Sequence, residues 1–209
     1  MAKDTRELLL ETAEQLFAQR GIASTSIREL SRAARVNVAA VNYHFGSKEG
    51  LIKALLQRRL RPINQKRLTK LEELLTRHKT QKIPPSVKEV VHCFVAPAFE
   101  AFGRDNSTAF LSFLGRAMLE PDPQVREFFL QEMQPVIKLL WEALRAALPH
   151  LEEGRLFWRI QFLLGAMVRI LNYPHYKDSW TFFPKTHQEI SPLEEFITFV
   201  SAGLEANDA

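Results

Sequence analysis

The sequence contains a single cysteine, Cys93, and no run of about 18 or more apolar residues. One cysteine excludes an internal disulfide, and without a long apolar run there is no candidate for a membrane-spanning helix. Acidic residues interrupt the N-terminal region where the apolar core of a signal peptide would lie. We therefore expect a cytoplasmic protein with no membrane partner.

Sequence patterns of enzyme sites are also missing. The C-terminal part has no nucleotide-binding loop, no metal-ligand spacing and no nucleophile elbow, and its histidines are scattered. We therefore predict no catalytic residues, no metal site, no cofactor and no enzyme activity.

The sequence does have apolar content and an uneven charge. Hydrophobic residues make up 46% of 209, enough to bury a substantial core. Residues 1–61 hold 11 Lys and Arg against 6 Asp and Glu, a net charge of +5, whereas the whole chain carries +4. A small basic module attracts polyanions, most commonly nucleic acid. An ordinary solvated surface would show the same excess, so charge alone leaves both interpretations open.

The N-terminal apolar pattern predicts three helices. The first has apolar residues at three- and four-residue steps and stops at Gly21. Ser26 stands three residues before Glu29, the signature of a capping box at the start of a second, short helix. Asn37 is a good N-cap for a third helix, which we expect to end near His44. Two short helices joined by a tight turn, with the first behind them, predict a helix-turn-helix arrangement.

One face of the third predicted helix suits close approach to a groove. If Val41 packs inward with its apolar neighbours, the opposite face points outward. That face carries Val38, Ala39, Asn42 and Tyr43. It combines small side chains with an amide and a phenol, which can contact a partner at short range.

The remainder of the chain also reads as helical, with no strand-like alternation, internal repeat or low-complexity tract. Pro62 lies in the long segment that starts at Leu51 and marks a kink or a break. We place the domain boundary there, between residues 1–60 and 61–209. The later helices are predicted at Ser86–Phe102, Thr108–Leu119, Pro123–Leu148, Glu152–Leu171 and Ser191–Leu204. The fold class is all-α, a helix-turn-helix domain joined by a long helix to a C-terminal helical bundle.

These motifs also carry a family resemblance. The N-terminal segment contains, in order, A-x-x-L-F-x-x-x-G, an S/T-rich cap, a short third helix and HF-x-S-K-E-x-L. Over roughly residues 5–56 it resembles the DNA-binding domain of the TetR family of bacterial regulators. The resemblance implies that the third helix enters the major groove of an operator while its neighbours hold phosphates. It also implies that residues 61–209 bind a small-molecule effector and form a homodimer.

The candidate DNA-binding residues follow from this resemblance and from their chemistry. They are Thr25, Ser26, Arg28, Asn37, Val38, Ala39, Asn42, Tyr43, His44 and Lys48. Small apolar side chains fit thymine methyl groups, and the polar ones donate to bases or phosphates. Lys48 lies in the first turn of the fourth helix, where free N–H groups favour an anion. Ser26 would cap its helix with or without DNA, and Arg28 would serve equally as a solvated charge.

Arg35 departs from the TetR pattern, which usually has glycine in the turn between the second and third helices. If this position keeps a positive φ, a side chain there costs about 1–2 kcal/mol. A narrower resemblance rests on "AAVNYHFGSKEGL" and "LFWRIQFLLGAM", which are similar to the fatty-acid-responsive PsrA-type branch. It implies an acyl effector.

The C-terminal part is rich in phenylalanine. Ordinary core packing explains most of these residues, and a subset would line an apolar ligand cavity between helices. Arg116 and Arg169 interrupt apolar runs, so each would need a buried partner, either an internal carboxylate or the acid group of a ligand. The candidate effector-binding residues are Phe94, Phe110, Phe113, Arg116, Phe129, Met133, Phe162 and Arg169.

We therefore expect a ligand-controlled transcriptional regulator, a repressor that a small apolar effector releases from a palindromic operator. The last two predicted helices should form the homodimer, because a single recognition helix covers too few base pairs for specificity. The alternative is a helical small-molecule-binding protein or enzyme whose N-terminal domain lacks operator specificity. A redox role for Cys93 is a further variant.

Overall fold

The computed structural model describes residues 4–104, 109, 113, 122–171 and 190–206. Eight helices account for most of these residues, and no strand occurs among them. The helices are α1 (Thr5–Arg20), α2 (Ile27–Ala34), α3 (Val38–Phe45), α4 (Lys48–Gln81), α5 (Val87–Arg104), α6 (Pro123–Ala147), α7 (Glu153–Leu171) and α8 (Pro192–Glu205). The predicted all-α fold is confirmed.

The ends of the first helices follow the local signals in the sequence. Helix α1 ends at Gly21, which has a φ of 87° and donates its N–H to the Phe17 carbonyl at 2.9 Å. Asn37 begins α3 by accepting the Ala39 N–H at 2.8 Å. These contacts satisfy backbone groups that helix ends leave without an internal partner. The predicted end of α1, the start of α2 and both ends of α3 are confirmed to within a residue.

Helix α4 continues through Pro62, so the predicted alternative of a break at this proline is wrong. Proline removes one backbone hydrogen bond and disfavours the helix by about 3 kcal/mol. Leu60 and Ile63, on either side, are 2% and 6% exposed. Packing of the apolar face on both sides of the proline keeps the helix intact, because such packing supplies most helix stability in proteins.

The chain divides into two compact units. Unit 1 comprises residues 1–62 and 107–134, and unit 2 comprises residues 63–106 and 135–209. Residues 123–134 therefore belong with the N-terminal helices, although the sequence placed them after its boundary. Gln57 illustrates this grouping by donating from Nε2 to Glu132 Oε1 at 2.9 Å. The assignment of separate functions to residues 1–60 and 61–209 stays a prediction.

Unit 1 is built on α1, α2 and α3, which pack against one another. The Phe17 ring stacks on Phe113 with 5.9 Å between centroids. Glu14 is 4% exposed and accepts a hydrogen bond from Arg59 Nε at 2.8 Å. This buried carboxylate is therefore paired with a guanidinium, as burial of a charge requires.

Unit 2 contains α5, α7 and α8, with α8 packed against both of the others. The Phe99 and Phe196 rings of α5 and α8 lie 6.3 Å apart. Arg159 of α7 donates to the Leu204 carbonyl at 2.6 Å and to the Ala206 carbonyl at 2.8 Å. This guanidinium satisfies carbonyl groups at the end of α8, where the helix dipole favours a cation.

Two predicted segments fall largely outside the described residues. Of the predicted helix Thr108–Leu119, only residues 109 and 113 are described, and both are helical. The connection before the last helix lies outside the described residues. None of the described helices combines the length and apolar character needed to cross a bilayer.

Candidate nucleic-acid interface

Helix α2 begins with a complete capping box. Ser26 Oγ accepts the Glu29 backbone N–H at 3.2 Å, and Glu29 Oε2 accepts the Ser26 N–H at 2.9 Å. The Ser26 backbone N–H, together with its hydroxyl, lowers the pKa of the Glu29 carboxyl. Ser26 therefore fixes the start of α2, and its side chain remains exposed.

The turn after α2 depends on a left-handed residue. Arg35 has φ 55° and ψ 40°, and its N–H donates to the Arg32 carbonyl at 3.1 Å. The next N–H, from Val36, donates to the Ser31 carbonyl at 2.9 Å. The positive φ considered from the sequence is thus present, and the residue that adopts it is not glycine.

Helix α3 presents the face that the sequence predicts. Val41 is fully buried, whereas Val38 is 40% exposed and Tyr43 is 87% exposed. Ala39 and Asn42 are exposed on the same side. The buried residue holds the helix against unit 1 and leaves two apolar side chains, an amide and a phenol facing outward.

The end of α3 is held by its neighbours. The Tyr43 and His44 rings meet edge to face with 5.1 Å between centroids. The Arg6 guanidinium lies 5.5 Å from the centroid of the Phe45 ring, in cation–π geometry. Any side chain at Gly50, in the first turn of α4, would collide with the Phe45 carbonyl oxygen. Glycine at this position therefore allows α4 to start close against the end of α3.

Lys48 has a structural contact in addition to its predicted contact with DNA. Its Nζ donates to the Ile22 carbonyl at 2.6 Å, which ties the start of α4 to the connection between α1 and α2. An ammonium group has three N–H donors, so this bond leaves two for another acceptor. The position of Lys48 next to the α2–α3 motif is compatible with both uses.

Thr25 is a correction to the predicted set. It is 2% exposed, and its hydroxyl donates to the Gly21 carbonyl at 2.8 Å. This bond satisfies a carbonyl just beyond the end of α1. A side chain that is buried and already bonded in this way does not reach a ligand outside the protein.

The motif also carries uncompensated positive charge. Arg28 and Arg35 are exposed, and neither makes an ion pair with a carboxylate in the described part of the chain. Arg20, by contrast, lies 3.6 Å from Glu29. Two exposed guanidinium groups in the helix-turn-helix are therefore available to phosphate oxygens, which favour such planar donors.

The described residues of the predicted effector-binding set are divided between the two compact units. Phe113, Phe129 and Met133 belong to unit 1, whereas the other described candidates belong to unit 2. Phe113 packs in the core of unit 1 against Phe17. Phe110 and Arg116 lie outside the described residues.

Two candidates on α7 also need correction. Phe162 is 67% exposed, and Arg169 is exposed rather than buried. Both lie on the exposed face of α7, because Leu163 and Met167 occupy the face that packs against the rest of unit 2. The apolar run around Arg169 predicts burial. A helix packed on one side nevertheless exposes part of any such run, and Arg169 lies on that exposed side.

Sequence reasoning missed a buried guanidinium in unit 2. Arg67 is 2% exposed and belongs to the stripe of α4 that includes the buried residues Ile63, Leu71 and Leu74. These positions recur at steps of three and four residues, which is the spacing of a buried helix face. That spacing is a signal that could have identified Arg67 from the sequence.

The environment of Cys93 disfavours the thiolate form. It lines an open groove of about 580 Å³ with Lys70, His92 and other polar residues of α4 and α5. Burial raises the pKa of the Cys93 thiol, which reduces the thiolate form that oxidants attack. The groove does not favour the redox variant.

Comparisons with known proteins agree with this geometry. Residues 9–55 match "Bacterial regulatory proteins, tetR family", and residues 92–203 match "Tetracyclin repressor-like, C-terminal domain". The regulator TtgR of Pseudomonas putida is 38% identical over 55 residues, which are 26% of each chain. The chain thus aligns with about a quarter of the length of such curated relatives.

Two solved structures share the fold over nearly the whole chain. The fatty acid degradation regulator FadR of Bacillus halodurans has a TM-score of 0.66 at 14% identity, covering 99% of this chain and 97% of its own. A TetR-family transcriptional regulator of Bordetella parapertussis has a TM-score of 0.64 at 18% identity, covering 98% and 96%. One of the two sequence matches spans more than half of the length of this chain. The chain therefore belongs to the TetR family of bacterial regulatory proteins.

Proposed function

We propose that this protein is a homodimeric repressor that binds a palindromic operator and releases it when an elongated, anionic effector binds. The observation that carries the proposal is the exposed face of α3 within a capped helix-turn-helix. Its neighbouring arginines, Arg28 and Arg35, are exposed and supply charge for phosphates. Together they provide both the contacts that position a protein on DNA and those that read bases.

Some side chains of the α3 face would contact bases, and others would contact phosphates. Val38 and Ala39 fit thymine methyl groups, and Asn42 can pair with an adenine edge. Tyr43 and His44, near the end of the helix, donate to phosphate oxygens. Because apolar side chains form no bidentate hydrogen bonds, this interface would depend strongly on DNA shape and on backbone contacts.

A second copy of the chain would cover the aromatic patch on α7 and α8. We define this patch as Phe157, Trp158 and Phe162 of α7 with Phe199 of α8, which are 48%, 60%, 67% and 72% exposed. The Trp158 and Phe162 rings stack with 6.3 Å between centroids. Large exposed aromatic patches usually mark interaction sites. A two-fold pairing here would present two copies of α3 to two half-sites.

The effector is proposed to be an acyl compound. Burial of an acyl chain gains about 0.8 kcal/mol per methylene, so few polar contacts are needed. The PsrA-type resemblance supports this class, and a protein of the same fold is named a fatty acid degradation regulator. Release of DNA requires the ligand to favour a conformation in which the recognition helices no longer match the half-site spacing.

The test is whether an acyl ligand loosens an operator complex. An operator is selected from a random duplex pool, and fluorescence anisotropy then follows its complex with the full chain during titration with dodecanoate or with dodecyltrimethylammonium. Dodecanoate should release the duplex, while the cationic control should not. Release by the cation alone would contradict the acyl class. If no duplex is selected over a scrambled sequence, the alternative of a protein without operator specificity is correct.

A further inference from the structure

Arg67 of α4 occupies the interior of unit 2 and contacts its own helix, α5 and α7. Its Nε donates to the Phe94 carbonyl of α5 at 2.7 Å, and its Nη1 donates to Asn64 Oδ1 on α4 at 3.1 Å. Its Nη2 lies 3.8 Å from the Met167 sulfur of α7. The guanidinium also stands 4.4 Å from the centroid of the Phe94 ring. All its polar partners in the described part of the chain are neutral.

No described carboxylate compensates this charge. Among the described residues, the only buried carboxylate is Glu14, which belongs to unit 1 and is paired with Arg59. Two surface carboxylates of unit 2 pair with other cations: Glu89 with Arg77, and Glu100 with Lys66. A buried cation without an anion is costly, so such groups are normally paired.

The charge nevertheless persists at neutral pH. Burial lowers the pKa of Arg67 to about 10, which still leaves the guanidinium protonated in the cytoplasmic range. The weakest of its contacts is with Met167, because a thioether sulfur is a poor acceptor. An oxyanion next to Nη2 would therefore replace a weak partner with a strong one.

We propose that Arg67 binds the anionic group of the effector, the role that the sequence suggested for Arg116 and Arg169. This inference rests on the proposed function and names the residue that selects the ligand. The unused N–H groups on Nη1 and Nη2 suit the two oxygens of a carboxylate, and a planar guanidinium favours such bidentate contacts. The ring of Phe94 and the side chain of Met167 supply apolar surface for the adjoining chain.

The experiment compares an acid with its matched alcohol. Calorimetry measures binding of dodecanoate and 1-dodecanol to the full chain, as wild type, Arg67→Met and Arg67→Lys. Lys66→Met is the control, because it removes a charge from the exposed side of the same helix, one residue away. Operator affinity without ligand and the melting temperature are measured for every variant, and Arg67→Gln replaces Arg67→Met if the latter does not fold.

We expect wild type to prefer dodecanoate over dodecanol. Arg67→Met should weaken dodecanoate binding about 10- to 100-fold, as loss of a charged hydrogen bond does, while dodecanol binding stays nearly unchanged. Arg67→Lys should keep part of the preference, since it keeps the charge but not the planar fork. The melting temperature of ligand-free Arg67→Met should equal or exceed that of wild type, because an uncompensated buried charge is removed.

Two results would overturn the assignment of Arg67 without contradicting the proposed repressor function. One is an unchanged preference for the acid in Arg67→Met, with normal release of operator. The other is equal weakening of acid and alcohol together with a lower melting temperature, which would show that Arg67 is a structural residue. If wild type binds operator but neither ligand, both the acyl class of the effector and the assignment of Arg67 are refuted.

Discussion

Replacing Arg35 with glycine should stabilise the protein. Arg35 adopts φ 55° and ψ 40° at the end of α2, a conformation that costs a residue with a Cβ about 1–2 kcal/mol. Glycine removes this cost but loses about 0.5–1 kcal/mol more conformational entropy on folding. With the middle of each range, the net gain in the free energy of unfolding is about 0.75 kcal/mol. In a chain of this size, such a gain raises the melting temperature by about 1.5–3 °C.

The matched control is Arg35→Ala, which removes the same charge and keeps the strain. Differential scanning calorimetry of the three proteins at equal concentration gives the comparison. Arg35→Gly should melt above both wild type and Arg35→Ala. If the glycine and alanine variants melt together, the left-handed turn carries no cost and the reasoning is refuted. Both variants should bind DNA more weakly if the exposed guanidinium contacts phosphate.

Two more predictions concern unit 2. A hydrogen bond from the Ser86 backbone N–H and a smaller contribution from the Arg77 side chain lower the pKa of Glu89 to about 2. The stability that this carboxylate contributes is therefore present above pH 4.5 and is lost as pH falls toward 2. Glu89→Gln should therefore lower the denaturant midpoint at neutral pH and have little effect near pH 2; an equal loss at both pH values would contradict this. Phe162→Glu should convert a dimer into monomers in sedimentation velocity at micromolar concentration, whereas Lys138→Glu, on an exposed position of α6, should not. A Phe162→Glu dimer would exclude the aromatic patch as the interface.

Local signals in the sequence were enough to predict the motif. Gly21, Ser26 and Asn37 act on backbone groups within a few residues of themselves, so the pattern alone contains the information that they need. The outward face of α3 was also predictable, because burial of Val41 determines the orientation of the remaining turn. These features are confirmed by the capping bonds and by the exposure of Val38 and Tyr43.

Features that depend on distant contacts were not predictable in the same way. The sequence grouped Phe113 with Phe94, whereas its ring stacks on Phe17 of unit 1. Such pairings depend on tertiary packing between segments far apart in sequence, about which periodicity gives no information.

Charge within an apolar segment was the least reliable guide. Arg169 stands in the more apolar run and is exposed, whereas Arg67 stands in a charged stretch and is buried. The difference is the helix face: Arg67 shares the stripe of Ile63 and Leu71, and Arg169 lies away from that of Leu163 and Met167. Position on the face, rather than the composition of the neighbourhood, decides burial.

The central claim is that the exposed face of α3 reads an operator. The most direct measurement is the dissociation constant for a selected operator and for a scrambled duplex, over a range of salt, with wild type and an Asn42→Ala/Tyr43→Ala variant. Gln15→Ala, on an exposed position of α1, is the control. Wild type and the control should prefer the operator and lose affinity steeply with salt, while the double variant should bind both duplexes almost equally. A double variant that keeps the wild-type preference would contradict the claim.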